Sequence, residues 1–395
     1  MKQHYKVVIL GGGSGGIAVA SRLAKKVSLK NKILIIDHAD YHAFQPSWPL
    51  VGSGAEKKEH TRKKMRRVVP HGAEFMQHKV SRIQPIERLV TLDHGQTVSY
   101  DFLVVALGIQ LDFDQIEGLT ETLGKNNVCT NYLYDYVDYT YDTLRHVTAG
   151  NVIATKPNSP IKGGVAPENS LFTFHDFFHK QGVRDVKLML RSGNHTLFPV
   201  EKYRDTLIEL FTQKQIDYTL NDELVKVDGP RQTATFFNYQ NRTTTEVPFS
   251  MLLVTPPMSA PDIIKESTLA DEAGWLDVNP FTLQHVRHQN IFGIGDCTNL
   301  PTVKMGAAVR KQAHILPKNL ISQMKGRKLK AHYTGMTACP IATEYGEAIM
   351  AEFDYSLKPK ETLPFNQARN SKFLYLFKKR LLPIMYWYGM LKGRS

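Results

Sequence analysis

The sequence predicts an α/β chain of two strand–helix units in tandem, followed by a C-terminal segment of different character. Three observations carry this. The apolar run Val7-Val8-Ile9-Leu10 stops at Gly11-Gly12-Gly13-Ser14-Gly15-Gly16 and passes into a small-residue helix pattern from Ile17 to Ala24. A second apolar run, Ile33 to Ile36, ends at Asp37. Wholly apolar short strands then recur at intervals, as expected of parallel sheets covered on both faces.

Taken in order, the first turn says most. Gly11, Gly13 and Gly16 fit G-x-G-x-x-G between a strand and a helix. Side chains are missing where the backbone must turn tightly, approach a pyrophosphate and pack helix on strand, and the phosphates meet the positive helix N-terminus. Asp37 stands about twenty residues on, where an acid binds a ribose hydroxyl. This is the pattern of an adenine dinucleotide site.

The next stretch, Tyr41 to Pro49, is rich in aromatics and carries Pro46 and Pro49, so it reads as a loop laid against a flat ligand. A basic group follows (Lys57, Lys58, Arg62, Lys63, Lys64, Arg66 and Arg67), expected on a helix. Val90 to Leu92 and Val98 to Tyr100 read as short strands, and Asp101 to Gly108 as a strand closing on a glycine turn.

The second unit begins with strand Asn151 to Ala154, helix Leu171 to Gln181 and strand Val186 to Leu190. The turn after that strand, Arg191 to His195, has one glycine, so no second pyrophosphate cradle is expected, and His195 reads as a solvated turn residue. The chain then returns to the first unit through strand Met251 to Pro257 and Asn290 to Thr298. Asp296, at the end of the latter, can hydrogen-bond a polyol such as a ribityl chain. Lys304 to Ala313 open a helix whose free amides suit the carbonyl end of a flavin.

The chain has 395 residues, enough for two domains with cores of their own. Three cysteines in this length argue against a disulfide framework and for a reducing compartment. No signal or transit pattern precedes the first strand, and no run is long and apolar enough to cross a bilayer. The net charge of +13 calls for an anionic partner, and the tail decides which. Phe373 to Phe377 and Leu381 to Tyr388 are apolar and aromatic, with Lys378-Lys379-Arg380 between them. Such a segment suits an anionic membrane surface rather than nucleic acid.

The motifs Gly11 to Gly16, His42 to Gly52, Leu107 to Leu111, Val254 to Met258, Gly293 to Thr302 and Ala351 to Tyr355 together closely resemble the sulfide:quinone oxidoreductase family, in the branch that includes the mitochondrial enzyme. The resemblance implies two tandem Rossmann-like domains with a C-terminal membrane-facing segment. Residues 1–112 and 255–330 would form a discontinuous FAD domain, 113–254 the second domain, and 331–395 the quinone- and membrane-associated region. It implies FAD held by Gly11, Gly13, Gly16, Asp37, Gln45, Pro46, Gly108, Asp296 and Lys304, with Lys304 stabilising the reduced flavin. It also implies a membrane quinone near Phe353 and Phe365, and sulfide or a small thiol as the other partner. A homo-oligomer is possible, and the expected location is peripheral, on the cytoplasmic face of a bacterial inner membrane.

In the family, two cysteines on the flavin face cycle between disulfide and dithiol or persulfide, with electrons passing through FAD to quinone. One matches Cys339; at the other place this chain has Gly163, after Lys162, which would favour a nearby thiolate. Three readings stay open. Cys129 replaces the missing thiol, Cys339 works alone, or sulfide oxidation is lost. A type II NADH:quinone reductase on the same scaffold is the alternative enzyme class.

Overall fold

A computed structural model describes residues 3–394. The first sheet is centred on β1 (Gln3–Leu10), whose Val7, Val8, Ile9 and Leu10 are wholly buried. Burying side chains of this size stabilises by about 1.5–3 kcal/mol each. After β1 comes α1 (Ser14–Leu23), then β2 (Ile33–Ile36), which lies parallel beside β1. On the other side of β1 runs β3 (Thr97–Val105), also parallel. β3 is one strand where the pattern suggests two, because its register against β1 runs on across Asp101, from Tyr5 opposite Tyr100 to Val7 opposite Phe102.

The second unit repeats the arrangement. β4 (Ala149–Lys156) leads into α2 (Ala166–Gln181), and β5 (Asp185–Ser192) returns parallel to β4. β6 (Met251–Leu253) is parallel on the other side of β4. So β4 is the counterpart of β1, and residues 157–165 are the counterpart of the glycine turn. The turn after β5, Arg191 to His195, is therefore not the equivalent place. α2 starts five residues earlier than its apolar pattern because Pro167 is tolerated in a first turn, where amides lack partners.

The faces of β4 alternate. Val152 and Ala154 pack with Phe172, Phe174, Cys339, Ile341 and Ile349, while Ile153 joins Leu224, Ala234 and Phe236 of a three-stranded antiparallel sheet. The chain re-enters the first sheet with β7 (Ile291–Gly293), parallel to β3, and continues into α3 (Gly306–Met324). An antiparallel hairpin, β8 (Thr337–Glu344) with β9 (Glu347–Phe353), precedes the tail.

Two local expectations change. The basic group is not one helix; Lys58–Thr61 and Met65–Arg67 are 3₁₀ turns on either side of a short strand, Arg62–Lys64, which pairs with Tyr41–Ala43. The aromatic loop contains a short helix, Trp48–Gly52, with Pro49 in its first turn. The tail forms helical turns from Lys372 to Lys392, widening to π turns at Phe377–Leu381 and Met385–Gly389. Pro383 follows the first of these, where a wide turn absorbs its missing amide. No helix among the described residues is long and apolar enough to cross a membrane.

Candidate dinucleotide and redox site

The glycine turn is built for close approach. A Cβ on Gly11 would lie 2.3 Å from the Ala106 carbonyl oxygen, and one on Gly16 only 1.9 Å from that of Gly11. Gly13, by contrast, is exposed, caps α1 and has nothing within 4 Å of where its Cβ would be. The two tight glycines therefore fold the turn, and the open one leaves the helix N-terminus reachable by an anion. The Asp37 carboxylate accepts from the amides of Gly12 (2.5 Å) and Ala39 (2.8 Å), which fixes it beside this turn.

At the far end, Gly295 adopts φ +83° and its amide donates to Gln312 of α3 (2.9 Å). Asp296 follows, then Thr298, Lys304 and Met305, which share a cleft with the start of α3. Gly306, the first residue of that helix, has open space at its Cβ position. This donor set, an open helix N-terminus at Gly13 and a carboxylate with a second helix start at Asp296 and α3, fits the two ends of a dinucleotide flavin. Gly108, at φ +76°, also has open space at its Cβ position. Gln45 and exposed Pro46 form a 3₁₀ turn in the aromatic loop.

Lys304 is almost wholly buried, its ammonium donating to the Thr298 carbonyl (2.8 Å) and lying 3.8 Å from the Trp275 ring centre. Burial lowers its pKa, with Asp296 acting in the opposite direction. The second unit's turn docks here. Gly163 donates its amide to the Lys304 carbonyl (2.9 Å), and Lys162 Nζ stands 4.0 Å from Asp296 Oδ2. Lys162, Gly163, Asp296 and Lys304, distant in sequence, are thus brought together.

Cys339, on β8, is wholly buried with its Sγ against Met305 Sδ (2.7 Å). Burial pushes its thiol up to about 12, opposed by Lys378 and Lys156. Cys129 is also buried and free, its Sγ directed at the Asn127 carbonyl, and its thiol too is pushed up to about 12 by burial, opposed by Thr143 and Thr140. Cys129 and Cys339 belong to the same buried apolar cluster, and their hydrogen-bond partners differ. Cys297 packs against the Val105 and Ile294 carbonyls.

Phe353 is buried edge-on to Phe198, inside the second unit's core. Phe365 is exposed on the tail side, next to Phe373. The two predicted quinone residues therefore do not share a surface.

Three features escaped the sequence reading. Lys378, one of three adjacent cations between the apolar segments of the tail, is buried and donates to the carbonyl of Pro340 (2.9 Å) and to Asn169 Oδ1 (3.2 Å). Burial lowers its pKa to about 8. Lys156 and Glu168 form a buried ion pair at 2.6 Å, across the turn that leads into α2. Tyr386 reaches the glycine turn through Ser14 and His42. Only the apolar flanks of Lys378 carried a signal, and a flank cannot say which of three adjacent cations turns inward.

The tail and the early basic group, far apart in sequence, meet. Lys63 Nζ lies 4.5 Å from the Trp387 ring centre and 4.7 Å from that of Tyr388, and Lys392 donates to the Arg67 carbonyl. Leu376, Leu381, Ile384 and Tyr388 are exposed beside them.

Residues 5–145 match the pyridine nucleotide-disulphide oxidoreductase family. The chain is 39% identical over 394 residues to the mitochondrial sulfide:quinone oxidoreductase of Mus musculus, covering 99% of this chain and 87% of that one. It is 40% identical to the Dictyostelium discoideum protein of the same name, covering 100% and 87%. The sulfide:quinone oxidoreductase structure from Aquifex aeolicus superposes with a TM-score of 0.85 at 22% identity, over 99% of this chain and 92% of that one. With the glycine turn, the repeated parallel units and these near full-length likenesses in hand, the chain belongs to the sulfide:quinone oxidoreductase family.

Proposed function

We propose that this protein binds FAD and moves two electrons from sulfide, or a small thiol, to a membrane quinone. The observation that carries this reading is the docking of Gly163 on the Lys304 carbonyl. It sets the second unit's turn against the cleft of Asp296 and α3, with Met305 leading on to Cys339. Gly11, Gly13, Gly16 and Asp37 would hold the dinucleotide end, and Gln45, Pro46, Gly108, Asp296 and Lys304 the flavin end. Residues 1–112 with 255–330 form the cofactor domain in this reading, 113–254 the second domain, and 331–395 the membrane-facing part.

FAD, when bound, supplies a two-electron acceptor that can in turn be oxidised by a quinone. On the protein side, Cys339 would take up the sulfur. One thiol and one H₂S give a persulfide, two protons and two electrons, so a single cysteine balances when quinone is the final oxidant. The burial that raises the Cys339 thiol opposes ionisation, and Lys378 and Lys156 are the cations that oppose that rise. Lys162 stands at Asp296 and would hold the second unit's turn in place.

The joined basic and aromatic surface of Lys63, Tyr388, Lys392 and the exposed tail residues supports peripheral attachment to an anionic membrane. A lipid-dissolved quinone would enter from the same side, near Phe365. NADH is disfavoured as donor. The second unit has no G-x-G-x-x-G between β4 and α2, and after β5 the Glu223 carboxylate occupies the space a Gly193 Cβ would need.

The test is anaerobic. Purified protein is expected to be yellow and to bleach with sulfide, at least roughly a hundredfold faster than with NADH. Cys339→Ser is expected to abolish the sulfide reaction. Equal bleaching by the variant would remove Cys339 from the chemistry, and faster bleaching by NADH would assign the donor otherwise.

A further inference from the structure

The C-terminal segment does more than meet lipid, because its inward side ends on the glycine turn. Tyr386 and Trp387 are buried, while their neighbours Ile384 and Tyr388 are exposed. The Tyr386 hydroxyl lies 2.7 Å from Ser14 Oγ, in the first turn of α1, and 2.5 Å from His42 Nε2. His42 Nδ1 in turn lies 2.8 Å from the Gly12 carbonyl oxygen. Both rings are held from the side, with Phe44 4.7 Å from Tyr386 and Trp387 5.7 Å from His42.

The donors in this chain can be ordered in one way. The Gly12 carbonyl only accepts, so His42 Nδ1–H donates to it. A neutral imidazole then leaves Nε2 as acceptor for the Tyr386 O–H, and the tyrosine oxygen accepts from Ser14. Burial keeps His42 neutral, with a pKa of about 4. The segment is tied down further by Ser21 Oγ–H donating to the Leu391 carbonyl (2.5 Å) and by Arg22 on the Met390 carbonyl (3.4 Å). One end of the chain is a peptide carbonyl of the dinucleotide turn, and the other is a side chain at the helix N-terminus where phosphate would sit.

We infer that Tyr386 is a positioning residue for the cofactor, holding the Gly12–Ser14 turn in its binding shape through neutral His42. This rests on the FAD reading above. It also makes the Tyr386 hydroxyl the specific link between tail and turn: losing its bonds to Ser14 and His42 loosens the dinucleotide turn, whereas loosening the tail elsewhere while those bonds persist does not, and a bound dinucleotide strengthens that link by the same free energy.

The experiment measures FAD release from diluted holoprotein by the rise in flavin fluorescence. Tyr386→Phe keeps the ring and removes one hydroxyl; release is expected to speed up about tenfold. His42→Leu is expected to do the same, and the double variant no more than either, because both act in one chain. Leu391→Ala loosens the same segment without touching that chain, so it should lower the melting temperature while leaving release within about twofold. Wild-type release rates in Tyr386→Phe overturn the inference. So do additive effects of the two substitutions, or equal acceleration by Leu391→Ala, either of which would reduce Tyr386 to packing. A wild-type protein that takes up no FAD would instead defeat the cofactor reading itself.

Discussion

The two strand–turn–helix units, β1–α1 and β4–α2, share a topology and finish their helix N-termini in opposite ways. Three glycines, Gly11 to Gly13, take the chain from β1 to α1 and leave the first amides open to the exposed Gly13 side. Nine residues, 157–165, take it from β4 to α2, with Pro157 and Pro160 among them. At that second N-terminus the protein supplies its own anion, Glu168, paired with Lys156 and wholly buried. A helix N-terminus attracts negative charge in either case. The first unit has no acid in its first helical turn, which in the proposed reading leaves that attraction for the cofactor, and the second satisfies it internally while its turn docks on the first unit's cleft through Gly163 and Lys304.

The strongest way to break this contrast is Gly16→Ala. Its methyl group would meet the Gly11 carbonyl oxygen at 1.9 Å, a backbone atom that no side-chain rotation can move aside, so the turn must open. FAD affinity is expected to fall by at least roughly a hundredfold, read by flavin fluorescence titration. Native affinity in this variant would mean that the first turn does not hold the dinucleotide.

The second unit should respond in stability instead. Lys156→Met leaves the Glu168 carboxylate buried without its cation, and its Oε2 already lacks a hydrogen-bond partner. Breaking such a pair from one side costs about 3–5 kcal/mol, and removing both charges with Lys156→Met/Glu168→Leu should recover most of it. Urea unfolding measures both, and flavin content per folded molecule is expected to stay constant. A loss of flavin without loss of stability would show that the second N-terminus serves the cofactor after all.

The contrast was half visible in the residues. Gly11, Gly13, Gly16 and Asp37 declare themselves because a pyrophosphate turn needs those residues at those spacings, and the apolar runs of β1, β2 and β4 declare the sheets. What the second unit does instead was not legible, since Lys156 and Glu168 are twelve residues apart and a buried ion pair has no local pattern. Nor does the sequence say that the turn after β4, rather than the one after β5, is equivalent to the glycine turn, because strand order is set by tertiary pairing. Tyr386 is a clearer case. It reads as one more interfacial aromatic beside Tyr388, and only helix phase, altered by the π turns, sends the first inward and the second outward.

The smallest expected effect is the most informative about the sulfur side. By the resemblance of the surrounding residues, Gly163 takes the place of the family's second redox cysteine, and it adopts φ +82°. Unlike Gly16 it is not sterically obligatory, for the nearest atom to an added Cβ is the Ala166 Cβ at 3.8 Å, an ordinary contact. Only the left-handed backbone resists a side chain, at about 1–2 kcal/mol. Gly163→Cys is therefore expected to fold and to melt only a few degrees lower. Whether its thiol then pairs with Cys339 is read by counting thiols after unfolding, in protein first exposed to a quinone as oxidant. A loss of two relative to the reduced variant would place both positions on one redox face and make the second unit's turn a sulfur site that has given up one member. A full count would leave Cys339 to work alone and make the 157–165 turn a structural cap, distinguished from the first unit by what it closes and not by what it reacts with.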